Sequence, residues 1–206
     1  MQHEKRVYPF KGLHAHSVIS LFSALMTNHT PPTSKQAWYT LILQEDGVCA
    51  FNEARRATGF GMLDLRNLDF SGHNLSKINF SNTDLSGARL NNAYLAEASF
   101  ILANMVGCEA HEADFFQAAL EEAILTGSRL EGANFSSASL VEAKLNQVDA
   151  RGAQFLDADL TDTDFSEALL NDADFTGAQL AGVNWTGAQR EWAVFEDSQT
   201  SSSDPP

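Results

Sequence analysis

Large apolar side chains return every five residues along this chain, from Leu65 to Trp185, with no insertion or deletion to break the count. Of the 25 positions numbered in multiples of five across that span, 21 are Leu or Phe, and the others are Met105, Ala110, Ala150 and Trp185. Two residues ahead of each, from Leu63 to Val183, 21 of 25 positions hold Ala, Ser, Thr, Cys or Val, and 15 of them are Ala. A long amphipathic helix needs apolar spacing of about 3.6 and a half-buried strand needs alternation, so a period of five excludes both as long elements. A short period held this long predicts a solenoid, in which each unit buries its apolar face only against its neighbours.

One large and one small inward residue per unit predict a corner every five residues. Four sides then close a coil of about 20 residues, with successive coils roughly 4.8 Å apart and joined by short backbone ladders. Residues 63–195 make about six and a half such coils, a rod ~30 Å long. Units such as ADFTG, ANFSS, ADLTD and TDLSG follow the pattern A-(D/N)-(L/F)-(S/T)-x. Over about two thirds of the chain the sequence therefore resembles the pentapeptide-repeat family. The resemblance implies an all-β solenoid, a right-handed quadrilateral β-helix of six to seven coils. Units four apart share a column, so Phe115, Phe135, Phe155 and Phe175 should stack as an aromatic ladder. In the column Phe70, Leu90, Ala110, Leu130, Ala150, Leu170 the two alanines leave room, which a neighbouring Phe is expected to fill.

Residues 1–62 depart from the period and are read as a small N-terminal α-helical cap over the bare first coil. Val18, Ile19, Phe22, Leu25 and Met26 keep helical spacing within an expected helix His14–Asn28, which Pro31-Pro32 ends. Ser34 is placed to cap a second helix carrying Trp38, Leu41 and Ile42, and a third short helix is expected from Val48 to Ala57. A hairpin of Trp38–Leu43 with Val48–Phe51 is the competing reading. The run GVCAFNEARR resembles the G-V-x-x-W-N-x-W-R segment that precedes the coils in many bacterial members of the family, with Phe51 and Ala54 in place of the two Trp. That resemblance implies a helix that lids the coils. At the far end, Arg190 interrupts the apolar column, and Trp192 is read as a lid across the last coil. The alternative is a homodimer paired through Trp185, Trp192 and Phe195. Residues 196–206 are read as a disordered polar tail.

Charge narrows the partners. The formal net charge is −14; residues 1–62 carry six basic and four acidic residues, and residues 63–195 carry seven basic and 20 acidic. Direct binding of nucleic acid or of an anionic membrane needs the opposite sign, so neither is expected. Only two cysteines occur, Cys49 and Cys108, and no disulfide framework follows from them. No stretch reaches the roughly 18 apolar residues of a membrane span, and a cytoplasmic location is expected.

Chemistry is sparse. No catalytic constellation, phosphate loop or nucleophile elbow appears, so no enzyme activity, cofactor or metal is expected. His14 and His16 are the nearest approach to a metal pair, without a further ligand at suitable spacing. His73 falls at an inward corner, and His111 with Glu109 and Glu112 on an outer side. What stands out is apolar and outward: Tyr94, Ile101, Leu102, Val106, Phe116 and Ile124 fall where the repeat otherwise places polar residues, beside Glu121 and Glu122. These eight are the candidate partner-binding residues. The competing reading is that the N-terminal segment with Tyr8, Phe10 and Leu13 covers them. The function expected is a protein-interaction or scaffold module presenting rigid acidic faces. The alternative, taken from the topoisomerase-protecting branch of the resembled family, is a DNA mimic that shields a type II topoisomerase.

Overall fold

A backbone ladder between residues 20 apart builds the described part of the molecule. In the computed structural model, which describes residues 31–200, β1 (Leu63–Asp64) pairs in parallel with β2 (Thr83–Asp84). The same parallel pairing then recurs as isolated bridges, from Asp69 with Arg89 through to Gln179 with Gln199. A turn follows every five residues, so each coil has four sides and four corners. Residues numbered two past a multiple of five take the left-handed conformation, where Gly or a side chain such as Asn or Asp is least strained. The ladder reaches Gln199, four residues past the Phe195 at which the apolar pattern fades. Backbone pairing continues there although the side chains no longer fill a core.

The interior is the predicted one. The inward residues from Leu65 through Phe70, Leu85 and Phe100 to Leu180 are buried, with the alanines two residues ahead of them, from Ala88 to Ala178, buried at the turns. Phe115, Phe135, Phe155 and Phe175 stack nearly parallel, at centroid distances of 4.7, 5.2 and 4.9 Å, and Phe195 extends the column at 4.9 Å. Beside the two alanines of the next column, phenylalanines of other sides meet edge-on: Phe100 with Phe115 at 5.5 Å and Phe155 with Phe165 at 5.6 Å.

Two helices precede the coils within the same compact unit. Helix α1 spans Lys35–Ile42; its N-cap Ser34 accepts a hydrogen bond from the Ala37 N–H at 3.2 Å. Helix α2 spans Gly47–Ala57, starting one residue before the predicted Val48. Gly47 lies so close to the carbonyls of Leu41 and Ile42 that a Cβ there would collide with them, and this closes the turn between the helices. The competing hairpin does not form. The expected helix His14–Asn28 and the segment with Tyr8, Phe10 and Leu13 lie outside the described residues.

Phe51 of α2 is fully buried between Trp38 at 5.3 Å and Phe80 at 5.4 Å, so the two helices rest on the first coil's core. Their polar side chains take the places that a preceding coil would fill. Tyr39 Oη donates to the Asp69 carbonyl at 2.7 Å, Lys35 Nζ donates to that of Arg66, and Arg55 Nη2 donates to that of Ser81 at 2.6 Å. Asn52 does two jobs, donating to the Lys77 carbonyl and accepting from the Asn79 N–H, both at 2.8 Å. Arg55, buried in α2, also donates to the Gly61 carbonyl at 2.7 Å. No helix among the described residues is long and apolar enough to cross a membrane.

Candidate protein-interaction surface

Outward positions on the coils are of two kinds: the middle of a side, and the corner just after it. Polar side chains at mid-side positions commonly bond the corner that follows, as Asp159 does in accepting from Thr161 N and Oγ1 at 3.1 and 2.6 Å. Others bond their column neighbour one coil away, as Asn134 does in donating to Asp114 at 2.9 Å. An apolar residue in such a place forgoes these bonds and gains no core.

All six apolar candidates reach the surface. Leu102 is 53% exposed, Tyr94 58%, Val106 41%, Phe116 39% and Ile101 37%, and Ile124 is half-buried. The coil register decides which of them can act together. Ile101 and Leu102 form one corner, and Glu121 and Glu122 form the same corner one coil later, where the Leu102 N–H donates to the Glu121 carbonyl at 3.0 Å. Val106 occupies the next corner, and Ile124, bridged to Asn104, stands on the side between the two. Phe116 occupies the corner before Glu121. Tyr94 stands one side further back and bridges to Asp114.

Thirty residues, one and a half coils, separate Tyr94 from Ile124, so these two stand on opposite sides. A flat partner reaches the corner Ile101–Leu102 with either Val106 and Ile124 or Phe116, and all six only by wrapping around the coil. The sequence already places them on three successive sides of the second to fourth coils. What sequence reading passed over is Val141 and Leu156, half-buried apolar corner residues that continue the columns of Ile101 and Phe116.

Electrostatics favour a basic or hydrogen-bond-donating partner. Glu122, Glu142 and Asp162 occupy one corner column without a basic residue among them. One carboxylate oxygen of Glu121 is buried and meets no donor, leaving an acceptor beside the apolar corner. The side opposite Phe100 and Leu120 is different in kind. Arg89 pairs there with Asp69 at 2.6 Å, and Arg151 pairs with Asp149 at 2.6 Å and with Glu131 at 3.7 Å. The hydrogen bond from Arg151 holds the Asp149 carboxyl below its ordinary range. A shallow, open depression of about 340 Å³ on this side is lined by Asn91, Glu109, His111, Arg129 and Glu131, where exposed pairs are worth little.

The remaining candidates fall into place singly. His73 is half-buried, its Nδ1 within hydrogen-bond distance of the Ser71 carbonyl at 3.0 Å, and His111 is exposed beside Glu112. Cys108 is buried and bonds Ser128 Oγ at 3.4 Å, and burial pushes its thiol up to about 11. No group of His, Cys, Asp and Glu suited to a metal ion occurs among the described residues, and His14 and His16 lie outside them. Trp192 departs from its predicted role as a lid. It is 81% exposed because it holds the left-handed corner position, which directs a side chain away from the coil. The end is filled by Trp185, stacked on Phe165 at 5.3 Å, and by Arg190, whose guanidinium lies 4.9 Å from the Trp185 ring.

Comparison with known proteins gives one family. The family model of pentapeptide repeats matches in eight copies, over residues 78–115, 113–149 and 138–177. Similar solved structures include QnrB1, a plasmid-mediated fluoroquinolone resistance protein, at 18% identity over 67% of this chain and 74% of that one, with a TM-score of 0.42. HetL, a pentapeptide repeat protein involved in heterocyst differentiation regulation in the cyanobacterium Nostoc, is 24% identical over 70% of this chain and 91% of its own, with a TM-score of 0.30. Rfr23 from the cyanobacterium Cyanothece is 18% identical over 74% of this chain and 99% of its own, with a TM-score of 0.35. No curated protein matches the sequence.

Proposed function

The solenoid of this chain belongs to the pentapeptide-repeat family, and from that premise we propose that the protein is a non-enzymatic interaction module that docks a protein partner on its second to fourth coils. The family implies a right-handed, four-sided β-helix. We divide the chain into a cap over residues 1–62, the coils from residue 63, and a polar tail after the last bridge.

One observation carries the reading: of the nine large apolar side chains exposed among the described residues, five stand within 23 residues, Tyr94 to Phe116. Apolar area grouped in this way is a cost to an isolated chain and a gain in a contact. The corner Ile101–Leu102 supplies the apolar centre, and Glu121 and Glu122 supply the acidic border, so a matching partner carries an apolar ridge flanked by basic residues. Fixed coils present this corner without ordering cost, which favours docking.

The double variant Ile101→Glu with Phe116→Glu tests the reading. Neither side chain fills the coil's interior, so the variant should fold with a thermal midpoint within a few degrees of the parent. It should lose a partner that the parent captures from the native host, since burying two unpaired carboxylates in the contact is costly. Normal stability with normal capture would sink the reading. A large loss of stability, with residues 1–13 newly open to protease, would instead assign the patch to the N-terminal segment.

The acidic column Glu122, Glu142 and Asp162 favours a second reading, a DNA mimic that protects a type II topoisomerase. A mimic should inhibit gyrase supercoiling at low salt, and its effect should fade steeply as salt rises. An interaction module of the first kind should leave supercoiling and quinolone-stabilised cleavage unchanged at micromolar concentration.

A further inference from the structure

Two neighbouring corners of the coils alternate apolar and polar residues in step with each other. One corner column runs Ile101, Glu121, Val141, Thr161, and the corner before it runs Phe116, Ser136, Leu156, Thr176. Backbone bonds hold both columns in register: Glu122 N–H donates to the Val141 carbonyl at 3.0 Å, and Ser137 N–H donates to that of Leu156 at 2.7 Å. On each corner the apolar residue recurs two coils along, ~9.6 Å away at the usual spacing of paired strands. The side between the corners bears small outward residues, Ser99, Ala119 and Ser139, bridged one to the next. Small residues along the middle and large ones at both corners make this side a shallow trough with apolar rims.

The rims differ in charge. On the rim of Ile101 and Val141 the neighbouring exposed positions are Leu102, Glu122, Glu142 and Asp162; on the rim of Phe116 they include the neutral Gln117 and Ser137. None of the three carboxylates meets a cation among the described residues. These spacings select one kind of partner element. A helix lying along the coil axis advances about 5.4 Å per turn, close to one coil, and about 10.5 Å in seven residues, close to two. Its apolar stripe then meets Ile101 with Val141 on one rim and Phe116 with Leu156 on the other. Lys or Arg at steps of three or four along one edge meet Glu122, Glu142 and Asp162 in turn. An extended strand brings same-face side chains round every ~6.7 Å, which matches neither one coil nor two.

We propose that this side binds one amphipathic α-helix of a partner protein, laid parallel to the coil axis from the second coil to the fifth. Its apolar stripe covers Ala119 between the two rims, and its basic edge runs along Glu122, Glu142 and Asp162. The inference rests on the docking reading above and adds the kind of element that docks, its direction and the side of it that carries charge. The coils hold the trough in place before binding, so only the helix has to be ordered. A second copy of the chain fits less well, because its net charge of −14 sets one acidic surface against another.

The test uses the full chain and a fluorescein-labelled, Ala-rich peptide of about 18 residues, with Leu on one helical stripe and a Lys at each turn along one edge of it. A scrambled peptide of the same composition is the control. Fluorescence anisotropy should show saturable binding of the helical peptide and binding at least ~10-fold weaker for the scrambled one. Glu122→Lys with Glu142→Lys should weaken the helical peptide at least ~10-fold, and a peptide with Glu in place of each Lys should prefer that variant to the parent. The variant should keep the parent's circular dichroism, because Lys77 already holds an equivalent left-handed corner. Ile101→Glu with Phe116→Glu should abolish binding. If it does so while the scrambled peptide binds the parent equally, or while the charge exchange fails to reverse the preference, the patch docks something other than this helix and the proposal alone falls. If that double variant binds the peptide as the parent does, the proposal falls together with the docking reading. No saturable binding up to millimolar concentration overturns it too, as does a dimer seen by sedimentation that Phe116→Glu dissolves, because a second copy is then the occupant.

Discussion

Arg55 shows how far a residue's role depends on what surrounds it. On a helix it reads as a solvated charge near the C-terminus, where the dipole favours it. Here it is buried and donates to two carbonyls, of Gly61 and Ser81, that a preceding coil would have taken. Arg55→Ala should strand both carbonyls and cost about 2–4 kcal/mol in a denaturant titration; a loss near zero would show that water replaces the guanidinium freely. Cys108 makes a second test at this scale. With its thiol buried and pushed up to about 11, it should resist a thiol reagent at pH 8, while the exposed Cys49 reacts at once. One thiol should be counted in the native protein and two in denaturant, and two fast-reacting native thiols would contradict the buried position.

Elements were legible where one rule governs them. A period of five sets the inward residues, and the shared column puts Phe115, Phe135, Phe155 and Phe175 in one stack. Phe135 stacks against Phe115 and Phe155 with rings within 5° of parallel. Phe135→Ala should therefore cost roughly 3–5 kcal/mol, read from the midpoint and slope of a urea transition; an unchanged midpoint would break the column assignment. Ser34 was legible as a cap because an N-cap needs only a local side-chain acceptor. Trp192 was misread because large aromatics are assumed to bury themselves, whereas its place at a left-handed corner sends it outward. The Arg55 and Asn52 contacts were not legible, since they depend on how α2 is set over the first coil, which no local pattern encodes.

At the scale of the whole molecule, helices α1 and α2 close the N-terminal end of the coils, and Trp185 and Arg190 fill the core of the last one. Between them the sides differ: one carries paired Arg and Asp or Glu, another an acidic corner column, and the second to fourth coils carry exposed apolar residues. The central claim is that the corner of Ile101 and Leu102, with Phe116, touches a partner protein, and a photo-cross-link tests it most directly. A benzophenone amino acid placed at Phe116 or at Leu102 should join the partner covalently on illumination in the native host. The same group at Arg151, which lies away from the patch, should join nothing. Cross-links that run from Phe116 into residues 1–13 of the same chain, or that form as readily from Arg151, would contradict the account.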